Sequence, residues 1–127
     1  MYARSKSITL KQVMARISRE LIDNLVSLQQ LLLENVNEAK LAEYLLLNNF
    51  GETEETVNSL DELTAIALQA ADLYRQISRL LLQMSEIQPA ITPAMLELLS
   101  QSVYTIENRV PALEQSIKEI KLNWDLR

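Results

Sequence analysis

LELLSQSVYTIENRVPALEQSIKEIKLNW, residues 96–124, decides the fold. Apolar side chains return in alternating steps of three and four: Leu96, Leu99, Val103, Ile106, Val110, Leu113, Ile117, Ile120, Trp124. No position in that series is polar. Such a run is the seam of a helix packed lengthwise on other helices, because a repeat of about 3.5 residues per turn keeps one stripe turned to the partner. The segment Thr92–Arg127 is therefore a rail on which the earlier helices must dock. Thr92 suits the N-cap and Pro93 the first helical position, where a missing N–H is no loss, and Ile91 with Leu96 forms a staple across the start. Pro111 stands inside this helix, normally at a cost of about 3 kcal/mol. It falls on the outward line Glu97, Tyr104, Pro111, Lys118, so a bend is expected that leaves the seam in phase and Pro111 on the convex, solvent side. Glu114 and Lys118 are expected to pair at i,i+4.

The partner helices are read outward from that rail. Leu63, Ile66, Ala70, Leu73, Ile77, Leu80, Met84 and Ile87 make a second unbroken alternation, introduced by a capping box of Ser59 with Glu62 and ended at Gln88-Pro89. Ala67, Tyr74 and Leu81 widen its stripe, while Leu68 and Leu82 lie on the far side. A helix apolar on more than one face is either central in its bundle or covered by another subunit. Upstream, Leu10, Met14, Ile17, Leu21, Leu25, Leu28, Leu32 and Val36 form a stripe that continues through Ala39, Ala42 and Leu46 to a stop at Gly51. Thr9 with Gln12 has capping-box spacing, so this helix is expected to start there. Its one candidate break is Asn35-Val36-Asn37, where Asn37 is able to cap a new helix. One long helix is the preferred reading, and a fold-over making a fourth segment is the alternative.

The connectors are short, so neighbours run antiparallel. The expected architecture is all-α, a single domain over residues 1–127: an elongated up-down-up bundle with helices at roughly 9–49, 59–87 and 93–125. Helix one outruns the others, and that overhang with the apolar back of helix two makes a homodimer the expected assembly. Composition agrees: 48% of residues are apolar, but Trp, Tyr and Phe together number only six, and a single Gly leaves too little punctuation for an all-β fold.

Chemistry is sparse. Without His, the usual general base, the commonest metal ligand and the usual triads are missing; without Cys there is neither disulfide nor thiolate, which fits a reducing compartment. No apolar run approaches the roughly 20 residues that span a bilayer, so a soluble, cytoplasmic protein is expected. Two charged regions stand out. Residues 1–19 hold Arg4, Lys6, Lys11, Arg16 and Arg19 and no acid, a pattern open to nucleic-acid phosphates, an anionic membrane or targeting. Its apolar stripe runs on into Leu21 and Leu25, so the expectation is an uncleaved helix start with a basic outer face. Glu52, Glu54, Glu55, Asp61 and Glu62 form an acidic turn, but no second inward-facing acidic pair exists to complete a di-metal site, and dipole-stabilising acids are expected. Tyr104 and Trp124 are candidate interaction anchors, with surface and core roles as the plainer alternatives. Met14, Met84 and Met95 read as gap-fillers.

No family resemblance guides the functional reading. The sequence favours a non-catalytic interaction module (adaptor, chaperone-like protein or complex subunit) with no cofactor and a protein partner of unstated identity. Leu68, Leu82, Tyr104 and Trp124 are its candidate contacts. Binding of nucleic acid or an anionic membrane surface through the basic first helix is the alternative.

Overall fold

The computed structural model describes residues 2–87 and 92–127, with side chains from 19–86 and 92–127. Three helices account for nearly all of it: α1 Tyr2–Phe50, α2 Val57–Ile87 and α3 Pro93–Asn123. No strand occurs among the described residues. The chain is the expected up-down-up bundle, with α1 and α2 in the most extensive contact. Two side-chain links between α1 and α3, Asn24 Nδ2 to Glu107 and Lys121 Nζ to Glu38, share a sequence offset of 83, as two parallel helices in constant register require.

The seam of α3 is as read. Leu99, Val103, Ile106, Val110, Leu113, Ile117 and Ile120 are all buried, and Trp124 packs against the core. Thr92 caps the helix, its hydroxyl accepting from the Met95 N–H at 3.2 Å, with Pro93 in the first turn. The helix runs unbroken through Pro111, which is exposed between buried Val110 and Leu113. The seam therefore keeps its phase because the proline ring faces solvent. Glu114 and Lys118 do not pair; the α3 cation that finds a carboxylate is Lys121, on Glu38 of α1 at 3.2 Å. The last turn closes with Asp125 in the left-handed region (φ 49°), the Leu126 N–H donating to Lys121 O and the Asp125 N–H to Leu122 O. That is a Schellman end, and its apolar follower Leu126 is buried, one residue pair beyond the seam read from sequence.

In α2 the wide apolar face resolves into three lines. Leu63, Ala70, Ile77 and Met84 are the buried centre. Ile66, Leu73 and Leu80 flank it on the α3 side, where Arg109 donates to Gln69 Oε1 at 2.9 Å. Leu60, Ala67, Tyr74 and Leu81 flank it on the α1 side, where Gln29 Nε2 donates to Ser78 Oγ at 3.0 Å. The width of the stripe thus reflects a neighbour on each flank, as α1 also has. Its start is corrected. Thr53 and Thr56, not Ser59 and Glu62, make the reciprocal cap: Thr53 N–H donates to Thr56 Oγ1 at 2.9 Å and Thr56 N–H to Thr53 Oγ1 at 3.2 Å. Thr56, 1% exposed, also donates to Gly51 O at 2.8 Å, which ties the turn to the end of α1. Thr-Glu-Glu-Thr offers the same cap chemistry earlier in the chain and places Glu54 and Glu55 in the lead-in turn, where acids favour the helix dipole.

Helix α1 corrects the expected start. It starts at Tyr2 rather than Thr9, because residues 2–8 contain no Gly or Pro to stop it. As preferred, it runs through Asn35–Asn37 without a break, so the alternative fold-over and its fourth segment are ruled out. At 49 residues against 31 for each partner it outruns them, as expected, by about five turns. Its buried line also differs from the one expected: Leu25, Leu28, Leu32, Asn35, Ala39, Ala42 and Leu46, a strict three-four alternation that admits Asn35 and leaves Val36 half-buried on the flank. The helix ends as read, Gly51 at φ 72° with its N–H on Leu47 O at 2.8 Å, a conformation that suits Gly because it has no Cβ.

Candidate interaction surface

With the buried lines assigned, the apolar side chains left uncovered can be placed. On α1, Arg19, Val26, Leu33, Lys40 and Leu47 recur every seven residues and form one exposed line, with Leu33 52% exposed. It lies next to the flank that carries Gln29 and faces α2. On α2, Asp61, Leu68, Arg75 and Leu82 also recur every seven residues on the outer side, Leu68 and Leu82 being 61% and 60% exposed. The Gln29–Ser78 bond fixes the antiparallel level of the two helices, so Val26 stands level with the end of α2 that holds Leu82. The two lines border the same outer surface of the α1/α2 pair, opposite the groove that α3 fills. Tyr44, 63% exposed, lies at its α1 margin.

Leu68 and Leu82 therefore share a surface, but they are not neighbours on an apolar strip of their own. Arg75 stands between them, paired with Asp72 at 2.9 Å. What joins them is the α1 line, whose Val26, Leu33 and Leu47 the sequence reading did not single out. Their seven-residue spacing was the available signal.

Tyr104 is 65% exposed on the outer face of α3 and is not part of the core cluster. Trp124 is half-buried at the closed end of the bundle. Its Nε1 donates to Ser59 Oγ at 3.0 Å, and its ring lies 5.2 Å from that of Phe50. One side chain thus joins the end of α1, the start of α2 and the end of α3. At the other end, an open groove of about 400 Å³ separates α2 from α3, with Leu80 and Leu99 in its walls and exposed Met95 and Leu98 at its lip.

The charged regions are placed more simply. Arg19 is exposed; the side chains of Arg4, Lys6, Lys11 and Arg16, like those of Leu10, Met14 and Ile17, lie outside the described residues. Glu52, Glu54, Glu55, Asp61 and Glu62 are all exposed, and among the described residues no three acids gather at a spacing that would hold a metal ion. No described helix is long and apolar enough to cross a membrane. No protein-family model matches the chain, and no curated protein or solved structure is significantly similar to it.

Proposed function

We propose that this protein is a non-catalytic helical interaction module that docks a protein partner on the outer surface of its α1/α2 pair. The observation that carries this reading is the pair of seven-residue lines holding Val26, Leu33, Leu47, Leu68 and Leu82, all exposed, beside an α3 that already occupies the opposite groove. Scattered surface leucines need no explanation, but four with a valine on one face of two adjacent helices form the kind of patch by which proteins associate. The basic start of α1 supports a second reading, attachment to nucleic acid, and one experiment separates the two.

That experiment is affinity capture from the source cell, with and without nuclease, comparing the native chain with Leu33→Glu and Leu82→Glu. A stoichiometric protein that survives nuclease and is lost from both variants is the expected result. Loss on nuclease treatment alone, with retention by both variants, transfers the function to Arg16, Arg19 and their neighbours, whose binding should then fall steeply with salt.

A further inference from the structure

We infer that the partner presents a basic amphipathic helix, which lies along the α1/α2 surface with its cationic side chains toward the turn that joins the two helices. This deepens the interaction-module reading above and rests on it.

The relief of the surface suits a helix. The Gln29–Ser78 bond and the Thr56–Gly51 bond set the level of α2 on α1, so Asp61 stands beside Leu47 and Leu68 beside Lys40. Between the two exposed lines, α2 carries Thr64, Ala71 and Ser78, half-buried and recurring every seven residues. Small side chains there lower the surface between Leu33 and Leu47 on one side and Leu68 and Leu82 on the other. Leu33 and Leu47 are about 21 Å apart along α1, so a helix of four turns lies lengthwise between the lines. Apolar residues at three- and four-residue spacing are what such a helix offers. An extended peptide finds no sheet edge to join among the described residues.

Charge selects the kind of helix. Around the closed end of this surface stand Glu43, Asp61 and the turn acids Glu52, Glu54 and Glu55. On this half of α1 and α2 the one cation is Lys40, held by Glu43 at 3.3 Å. At the end of α3, Lys121 and Arg127 are engaged by Glu38 and Asp125, and Lys118 lies on the outer line with Tyr104 and Pro111. The middle of the surface holds the paired Asp72 and Arg75, and the far end mixes Arg19 and Arg79 with Glu20, Asp23 and Glu86. Negative charge is thus concentrated at one end of an apolar face. A basic helix gains encounter rate and orientation from that field, whereas phosphate-bearing ligands are repelled by it. The described part of this surface on a second copy offers only the same acids and the mixed far end, neither of them a basic match.

A designed peptide tests this. The probe is a fluorescent, end-capped peptide of about 18 residues, Leu at three- and four-residue spacing and Lys elsewhere; its counterpart has Glu for Lys. Fluorescence anisotropy with the full chain should show saturable binding of the Lys peptide below about 100 μM and at least about tenfold weaker binding of the Glu peptide. Leu47→Glu and Leu68→Glu each add an acid, so bare charge attraction would tighten binding, whereas seating on the leucines predicts a loss of about tenfold. Helical content should be unchanged because both residues are exposed. Asp61→Asn with Glu54→Gln should weaken binding about fivefold at low salt and much less at high salt. No binding of the Lys peptide up to about 1 mM overturns the inference. So does equal or tighter binding of the Glu peptide, or undiminished binding of the Lys peptide by both leucine variants. A dimer of the native chain in light scattering that Leu68→Glu dissociates overturns it too, by giving the surface to a second copy. The module reading is decided separately, by whether Leu33→Glu and Leu82→Glu abolish capture of a protein from the source cell.

Discussion

Asn35 is the point where one substitution tests the packing most directly. It is 3% exposed, on the buried line of α1 between Leu32 and Ala39, and among the described residues its Nδ2 is the one buried side-chain polar atom with no hydrogen-bond partner in the protein. Leaving a buried donor unsatisfied costs about 1–3 kcal/mol. Asn35→Leu removes that donor and adds roughly 1.5–3 kcal/mol of apolar burial. Against this stands about 1–3 kcal/mol of strain from the extra volume in a packed core. Taking the middle of each range, the expected net gain is about 2 kcal/mol. At about 2.1 cal/mol/K per residue, 127 residues unfold with an entropy on the order of 0.27 kcal/mol/K, so Tm should rise by about 7 °C. Thermal unfolding by far-UV circular dichroism measures this, with urea unfolding to check that the m-value is unchanged. Asn35→Ala is the companion, since it removes the amide without adding volume and should leave Tm within about 4 °C of native. If both variants lower Tm by more than that, the amide is bonded and supports the fold, and its description as an orphan is refuted.

Three further substitutions address the ends of the helices. Thr53→Ala should cost about 1–2 kcal/mol because it removes the cap of α2, whereas Glu62→Ala should cost less than about 0.5 kcal/mol; urea unfolding of the pair decides between the two cap positions. Trp124→Phe keeps the ring beside Phe50 but deletes the bond to Ser59, so a loss of about 1 kcal/mol is expected, and Ser59→Ala should add little on top of it in a double-mutant cycle. Additive losses would mean that the two groups do not interact. Asp125→Gly should stabilise by about 1 kcal/mol, because φ 49° strains a residue with a Cβ; a lower Tm would show that the Asp side chain earns its place at that turn.

The parts of the fold that were legible in the sequence are those where one periodicity had one cause. In α3 each apolar residue at three-four spacing faces the same groove, so the list from Leu99 to Ile120 could be read without coordinates, and Pro111 could be assigned outward because its line contained Glu97 and Lys118. Helix α1 was harder at Asn35–Asn37. Val36 is the apolar residue there, and hydrophobicity alone chose it. The geometry of the seam chose Asn35, because the step from Leu32 to Ala39 divides into three and four through that position. Cap positions were the weakest point, since Ser59–Glu62 and Thr53–Thr56 both satisfy the spacing and only tertiary contact decides. Ser59 is held by Trp124, leaving Thr53 and Thr56 to close the turn.

The surface was less legible than the core for a related reason. A sequence shows that α1 and α2 each carry apolar residues off the buried stripe, but not whether those residues meet. Leu68 and Leu82, judged on α2 alone, are two leucines separated by the Asp72–Arg75 pair. The register set by Gln29 and Ser78 turns them into the border of a surface whose other border is Val26, Leu33 and Leu47.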